Sequence, residues 1–332
     1  MLAFLGSAFL GWSAITLLWT ANLPDGLNEL IQWIILALAF VLGARLNGLD
    51  RIFKGLALGI LFSSLIVAIP LLQEYFPHEI VSIQFEGLFG NRNMLAEATV
   101  LTAIGCIGYR AWWYLPGLSP AIFVAPISRG AILGGLAAFG YWLWTKSRIA
   151  GAVYAAAICT GTSATVFITG RTTSLIERIE IWKSSWRGVS FFGHGLGSFF
   201  TLFPFLTSYW DTVEIRPDHA HNDILELAFE TGIIGVCLYV AILAIAYRMA
   251  DTVQRSILVA FLTIGMFAMP WHMPTTAFIC ALLLGHISTC GARLRRHDIE
   301  SGAAFCSRDE WLNYAARRTD YSLARGGTPR SF

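Results

Sequence analysis

The stretch "DHAHNDILELAFETGIIGVCLYVAILAIAY", residues 218–247, changes character partway along. Its first thirteen residues carry two histidines, an asparagine and four carboxylates, and the remainder is apolar. The apolar part approaches the ~20 residues that a helix needs to cross a bilayer. Runs of the same kind recur along the chain, and most of them avoid charge. The whole sequence has 332 residues, 56% hydrophobic and 13% charged, with a mean hydropathy of +0.61. A soluble protein carries roughly 25% charged residues. One or two soluble cores could not use this much apolar sequence, so the composition indicates an all-α polytopic membrane protein.

Reading apolar runs between charges and turn signals predicts about ten spans. They lie near 2–19, 28–44, 54–72, 94–109, 111–127, 130–145, 149–168, 232–247, 256–270 and 273–289. The fifth and sixth are short and tightly linked by "PISRG", which suits a tilted or partly re-entrant pair. The organisation expected is seven helices over 1–168, a long loop over 169–231, three helices over 232–289, and a polar, disordered tail over 290–332. The chain opens on an apolar stretch without a basic n-region, which argues against a cleaved signal peptide.

Short loops rich in lysine and arginine face the cytoplasm. Arg45, Arg51 and Lys54, then Arg110, then Lys146 and Arg148, then Arg248 and Arg255 all fall on one side of a ten-span chain, as does the arginine-rich tail. Both termini are therefore expected inside, and the 169–231 loop outside. Against that bias, Arg92 in "FGNRN", Arg129 in "SRG" and several arginines of the long loop fall on the outer side, which marks them for a task. The net charge of +2 is spread over short loops and the tail, so nothing indicates nucleic acid. Cys106, Cys159, Cys237 and Cys280 sit in apolar runs, and Cys290 and Cys306 at or beyond the last one. None has a metal-ligand spacing, and packing accounts for them.

Within the long loop, "RTTSLIERIEIWKSSWR" (171–187) reads as an amphipathic helix. Leu175, Ile179, Trp182 and Trp186 form its apolar stripe; Glu177, Glu180, Lys183 and Arg187 face away. Arg171 and Arg178 fall together at one edge, where a helix lying on the membrane would hold two guanidinium forks at headgroup level, a geometry suited to phosphate. "GHGLG" (193–197) lacks the strand–turn–helix surroundings of a nucleotide site and reads as a turn returning the loop over the membrane. If Asp218 caps a helix, His219, Glu226 and Glu230 share one face and His221 lies on the other. The two histidines then point apart, so no metal site is expected from them.

The ordered set "FGNRN", "SRG", "RIEIW", "GHGLGSF" and "HNDILELAFETGIIG" resembles the bacterial O-antigen ligase and O-antigen polymerase family over roughly residues 85–290. The resemblance implies a GT-C-like inner-membrane glycosyltransferase. Such an enzyme takes a glycan from undecaprenyl pyrophosphate at the periplasmic face. It passes the glycan to a hydroxyl of lipid A–core, of a growing glycan or of a protein, with no cofactor and no metal. It further implies catalytic roles for His221, Arg178 and Arg129, and Arg171 matches an R-x-x-x-L arginine of ligases; Arg92, Asn222 and His219, the last without a clear counterpart in the family, join Arg171 as expected substrate contacts. Members commonly have about twelve spans against the ten read here, so either an N-terminal pair is absent or the sequence starts late. A flippase for lipid-linked glycan and a non-catalytic scaffold are the competing classes; the outward arginines and long loop favour the enzyme. The charge bias is checked with topology reporters. A fusion after Phe200 should give a periplasmic signal and one after Glu300 a cytoplasmic signal; a cytoplasmic signal at Phe200 would overturn the sidedness.

Overall fold

The structure, a computed structural model, describes residues 1–68, 92–118, 128–169, 173–206 and 217–301, and over these it is helical with no strand. The helices are α1 (Leu2–Thr16), α2 (Leu23–Arg45), α3 (Asp50–Ala68), α4 (Arg92–Gly108), α5 (Arg129–Lys146), α6 (Arg148–Thr169), α7 (Thr173–Gly188), α8 (Phe199–Leu206), α9 (Asp223–Met249), α10 (Thr252–Gly265) and α11 (Pro274–Ser301). Their starts reflect local chemistry. Asn22 accepts the Asp25 N–H with Pro24 in the first turn of α2, Ser128 accepts the Ala131 N–H, and Asp251 and Gln254 form a reciprocal capping box.

Among the described residues, Leu2–Trp19, Leu23–Arg45 and Asp223–Met249 are long and apolar enough to cross a membrane, and Asn93–Gly108, Arg148–Thr160, Thr252–Gly265 and Pro274–Thr289 are shorter apolar helices. Large apolar side chains turn outward, among them Phe4, Leu38 and Phe62. A water-facing surface of that kind would be an aggregation liability, whereas lipid satisfies it. The region expected as the fifth span differs. Over Trp112–Leu118 it is a 3-10 helix around Pro116, because proline cannot donate into an α-helical ladder. The rest of that expected span lies outside the described residues. At the other end, α11 continues through Ser301, past residue 290, where a disordered tail was expected to begin.

Two arrangements position the site. First, α2 packs along α11 through small residues: Gly43 lies against the Leu282 backbone and Gly285 against the Phe40 carbonyl. Small residues let helix backbones approach closely where lipid offers no hydrophobic drive for association. Second, α9 is broken at Gly232, whose φ of 68° and ψ of −170° are open to glycine at no steric cost. The 191–195 loop docks on the break. The Ile233 N–H donates to the Phe191 carbonyl, His194 N–H to Phe229 and Gly195 N–H to Glu230. "GHGLG" is thus a turn, as expected, but a rigidly docked one.

The α2–α11 contact is testable by thermal unfolding in detergent. A methyl at Gly285 would meet the Phe40 carbonyl oxygen, whereas Gly11 has open space around it. Gly285→Ala should destabilise by about 1–3 kcal/mol, the usual cost of overpacking. Gly11→Ala should be neutral or slightly stabilising, since alanine is favoured over glycine in helices by about 1 kcal/mol. Equal melting of the two variants would remove the contact from the account.

Candidate functional site

The polar cluster that opens the sequence is the start of α9 and the turn before it. Asn222, not Asp218, is the cap: its Oδ1 accepts the Ile224 and Leu225 N–H groups, both at 3.1 Å, and the helix begins at Asp223. His221, just outside the helix, has a left-handed φ of 51°. The expected helical phase of residues 218–222 is therefore wrong. The two histidines nevertheless have different neighbours, since His219 meets Glu226 and Arg178 acts on His221.

The first half of α9 is buried, carboxylates included: Asp223, Glu226 and Glu230 are only 6%, 2% and 3% exposed. Buried charge is costly unless it is hydrogen-bonded or paired. Glu226 Oε2 accepts the Ala220 N–H at 2.8 Å and Oε1 meets His219 Nδ1 at 2.6 Å. Glu230 Oε1 accepts the Phe199 N–H at 3.0 Å. Beneath them Ile181, Phe199, Phe203, Ala220 and Phe229 form a compact apolar cluster that joins α7, α8 and α9.

On one flank α7 lies across the turn. Trp182 Nε1 donates to the Ala220 carbonyl at 3.0 Å, and one turn earlier Arg178 Nη1 donates to the Phe267 carbonyl at 2.6 Å. The face of α7 turned to the protein is thus Arg178, Ile181, Trp182 and Ser185. Trp186, expected on the same stripe as Trp182, is 68% exposed. Arg187 and Lys183 are exposed, the latter paired with Glu180, as the sequence suggested. Burial first, then the charge of Arg129, lowers the Arg178 pKa against an opposing pull from Glu97, and the group stays charged at any physiological pH. His221 is on this flank too. Burial first, then the Arg178 charge, lowers its pKa, which favours the neutral imidazole. Arg129, exposed at the start of α5, and Glu97, fully buried in α4, complete the group. Arg178 therefore lies near enough to feel Arg129 and to act in turn on His221.

The opposite flank is acidic. A cavity of about 370 Å³ is lined by Asp25, Asn28, Glu29, Gln32, Asp218 and Glu230 around His219, Glu226 and His272. Burial works against a charged His219, but the Glu226 hydrogen bond and the charges of Glu226, Glu230 and Asp218 outweigh it and raise its pKa. His272 is lowered by burial, with Glu226 opposing and His219 adding to the shift. His272 is held by its loop: Gln32 Nε2 donates to the neighbouring Trp271 carbonyl at 2.6 Å, and Trp271 Nε1 donates to Tyr239 Oη at 2.8 Å.

Of the other expected substrate contacts, Arg171 lies outside the described residues, and Arg92 begins α4 with a side chain that also lies outside them. Asn222 spends its Oδ1 on capping. Sequence reasoning missed His272 and Glu29. Glu29 was visible as an acid inside an apolar run, "NELIQWIILAL", whereas His272 stood alone in a two-residue turn. Ligand-type atoms of His219, Glu226 and His272 all lie within 4.8 Å of one another. The expectation of no metal weighed His219 only against His221, which is indeed on the other flank.

Residues 94–240 match the family model described as O-antigen ligase. The matched region runs from α4 to the middle of α9 and takes in Arg129, Arg178, His219, His221 and Glu226, with His272 outside it. Comparison with curated proteins gives no match. The chain is thus similar to O-antigen ligases over a region, less than half of its length, that holds the α9 turn.

Proposed function

We propose that the protein transfers a glycan from an undecaprenyl-pyrophosphate donor to a hydroxyl acceptor at the periplasmic face of a bacterial inner membrane. The observation that carries this reading is the closeness of Arg178 to both Arg129 and His221 at the start of α9. The acceptor oxygen attacks the anomeric carbon, the carbon–oxygen bond to the pyrophosphate breaks, and its electron pair leaves on the phosphate. The guanidinium groups of Arg178 and Arg129 meet that charge, which leaves no need for a metal ion at the pyrophosphate. Each such charge-assisted contact is worth roughly 1.5–3 kcal/mol, and more of it is realised in the transition state when the donors are held in advance. The Phe267 carbonyl and the Trp182–Ala220 hydrogen bond hold Arg178 in that way. His221, neutral, takes the acceptor proton; a positioned base typically contributes about 10²–10⁴ in rate.

A flippase would space its charges along the spans. Here the buried carboxylates Asp223, Glu226 and Glu230 fall within two turns of one helix, and Glu97 acts on Arg178 beside them, which favours an enzyme. Ligase and polymerase differ in phenotype. In a deletion strain, lipid A without any polymer indicates the ligase, and lipid A capped by single repeats indicates the polymerase.

Variants assayed on lipid-linked donor should separate the arginines. Arg178→Ala and Arg129→Ala should abolish transfer at unchanged protein level, and Arg178→Lys should restore it only in part, because an ammonium lacks the bidentate fork. Arg187→Ala, at an exposed position, should stay within about 0.5 kcal/mol of wild type. Equal losses at 187 and 178 would show that the face of α7 has been misassigned. For the base, His221→Ala should lower turnover by about two orders of magnitude or more while donor binding persists. Lost donor binding would place His221 with the phosphate-binding groups instead.

A further inference from the structure

The acidic flank has no part in the donor chemistry of the arginine flank. Its carboxylates would repel a pyrophosphate, so what it holds is of opposite charge. We propose that His219, Glu226 and His272 form a divalent-cation site of the two-histidine, one-carboxylate kind, suited to Zn²⁺, with its open position on the acidic cavity.

The three ligands come from three places: the turn before α9, the first turn of α9 and the loop between α10 and α11. Glu226 Oε1 is 2.6 Å from His219 Nδ1 and 3.6 Å from His272 Nε2, and the two imidazole centroids are 4.6 Å apart. Zinc binds nitrogen and carboxylate oxygen at about 2.0–2.2 Å in tetrahedral geometry, which sets neighbouring ligand atoms about 3.3 Å apart. The observed separations bracket that value, and modest side-chain shifts close the set.

The atoms behind the ligands fit as well. A metal-bound histidine usually directs its other ring N–H at a carboxylate or carbonyl. His272 Nδ1 is buried without a hydrogen bond and lies 3.9 Å from Asp223 Oδ1. Asp223, 6% exposed, makes no hydrogen bond of good geometry, although the Trp271 N–H is close enough to act on it. An ion on Nε2 would keep the His272 proton on Nδ1, aimed at this carboxylate. The remaining oxygen of Glu226 is held by the Ala220 N–H. Glu29, Glu230, Asp218 and Asp25 around the cavity supply the negative field that a cation needs. Two imidazoles and one carboxylate suit zinc better than magnesium or calcium, which take oxygen ligands. The ion would tie the α9 turn to the 266–273 loop and so fix His221 from behind, and a hydroxyl oxygen could take its fourth position from the cavity. This site stands apart from the glycosyl-transfer reading, because it concerns binding alone.

The test is calorimetric titration of the full-length protein, purified in detergent and stripped with a chelator, using Zn²⁺ alone. One saturable equivalent is expected. Glu226→Gln and His272→Gln should each weaken it at least tenfold, and Asp223→Asn should weaken it by about ten- to a hundredfold, as loss of an outer partner does. Mg²⁺ should not compete. Absence of saturable binding, or binding unchanged in His272→Gln and Glu226→Gln, overturns the site. If those variants do not fold, Co²⁺ added to the wild type decides: tetrahedral visible bands without thiolate charge transfer are expected, and the spectrum of the free ion overturns the proposal.

Discussion

The break in α9 is the constraint on which the site rests. A helix interrupted at membrane depth leaves backbone donors and acceptors without partners, and in an apolar surrounding each is costly. Here the 191–195 loop supplies them, through three backbone hydrogen bonds that straddle Gly232. Glycine is needed on both sides of this contact, because a Cβ at Gly193 would run into the Glu230 carbonyl and one at Gly232 into that of Phe191. The break ends the lipid-compatible half of α9 and frees the first two turns to carry carboxylates into a protein interior.

With α9 fixed in this way, one short turn divides two electrostatic environments. The Arg178 guanidinium is the foremost charge on His221, whereas Glu226, Glu230 and Asp218 act on His219, two residues earlier. The same residue type is pushed in opposite directions on the two sides, and burial alone does not account for it, since burial disfavours the charged form of both. The charges on one flank favour an anionic group and those on the other disfavour it.

The helical membrane class and most helix positions were legible in the sequence because each is a local or periodic signal. Apolar runs between charges and turns set the helices. His219 and Glu226 were expected on one side only through a helix capped at Asp218, and they meet although the helix starts at Asp223. What escaped has physical reasons. His272 is 46 residues beyond Glu226, and no periodicity joins a residue in a turn to one on a helix that starts 49 residues before it. The protein-facing side of α7 was read from apolar spacing. Yet Arg178 packs inward by donating to the Phe267 carbonyl, buried Ser185 satisfies its hydroxyl on the Ile181 carbonyl of its own helix, and Trp186 is left outward.

The bonds that α7 makes have a metric consequence. Arg178 and Trp182 are four residues apart, and each is tied to a carbonyl on a different segment of the mouth, Phe267 and Ala220. A helix rises 1.5 Å per residue and barely stretches, so those two anchor points are held about 6 Å apart along its axis. The helix is in effect a ruler laid across the entrance. Adding a residue between the anchors would not widen the opening smoothly. It would turn one anchor by about 100° and disengage it. The spacing of these two anchors can therefore change only in steps of whole turns.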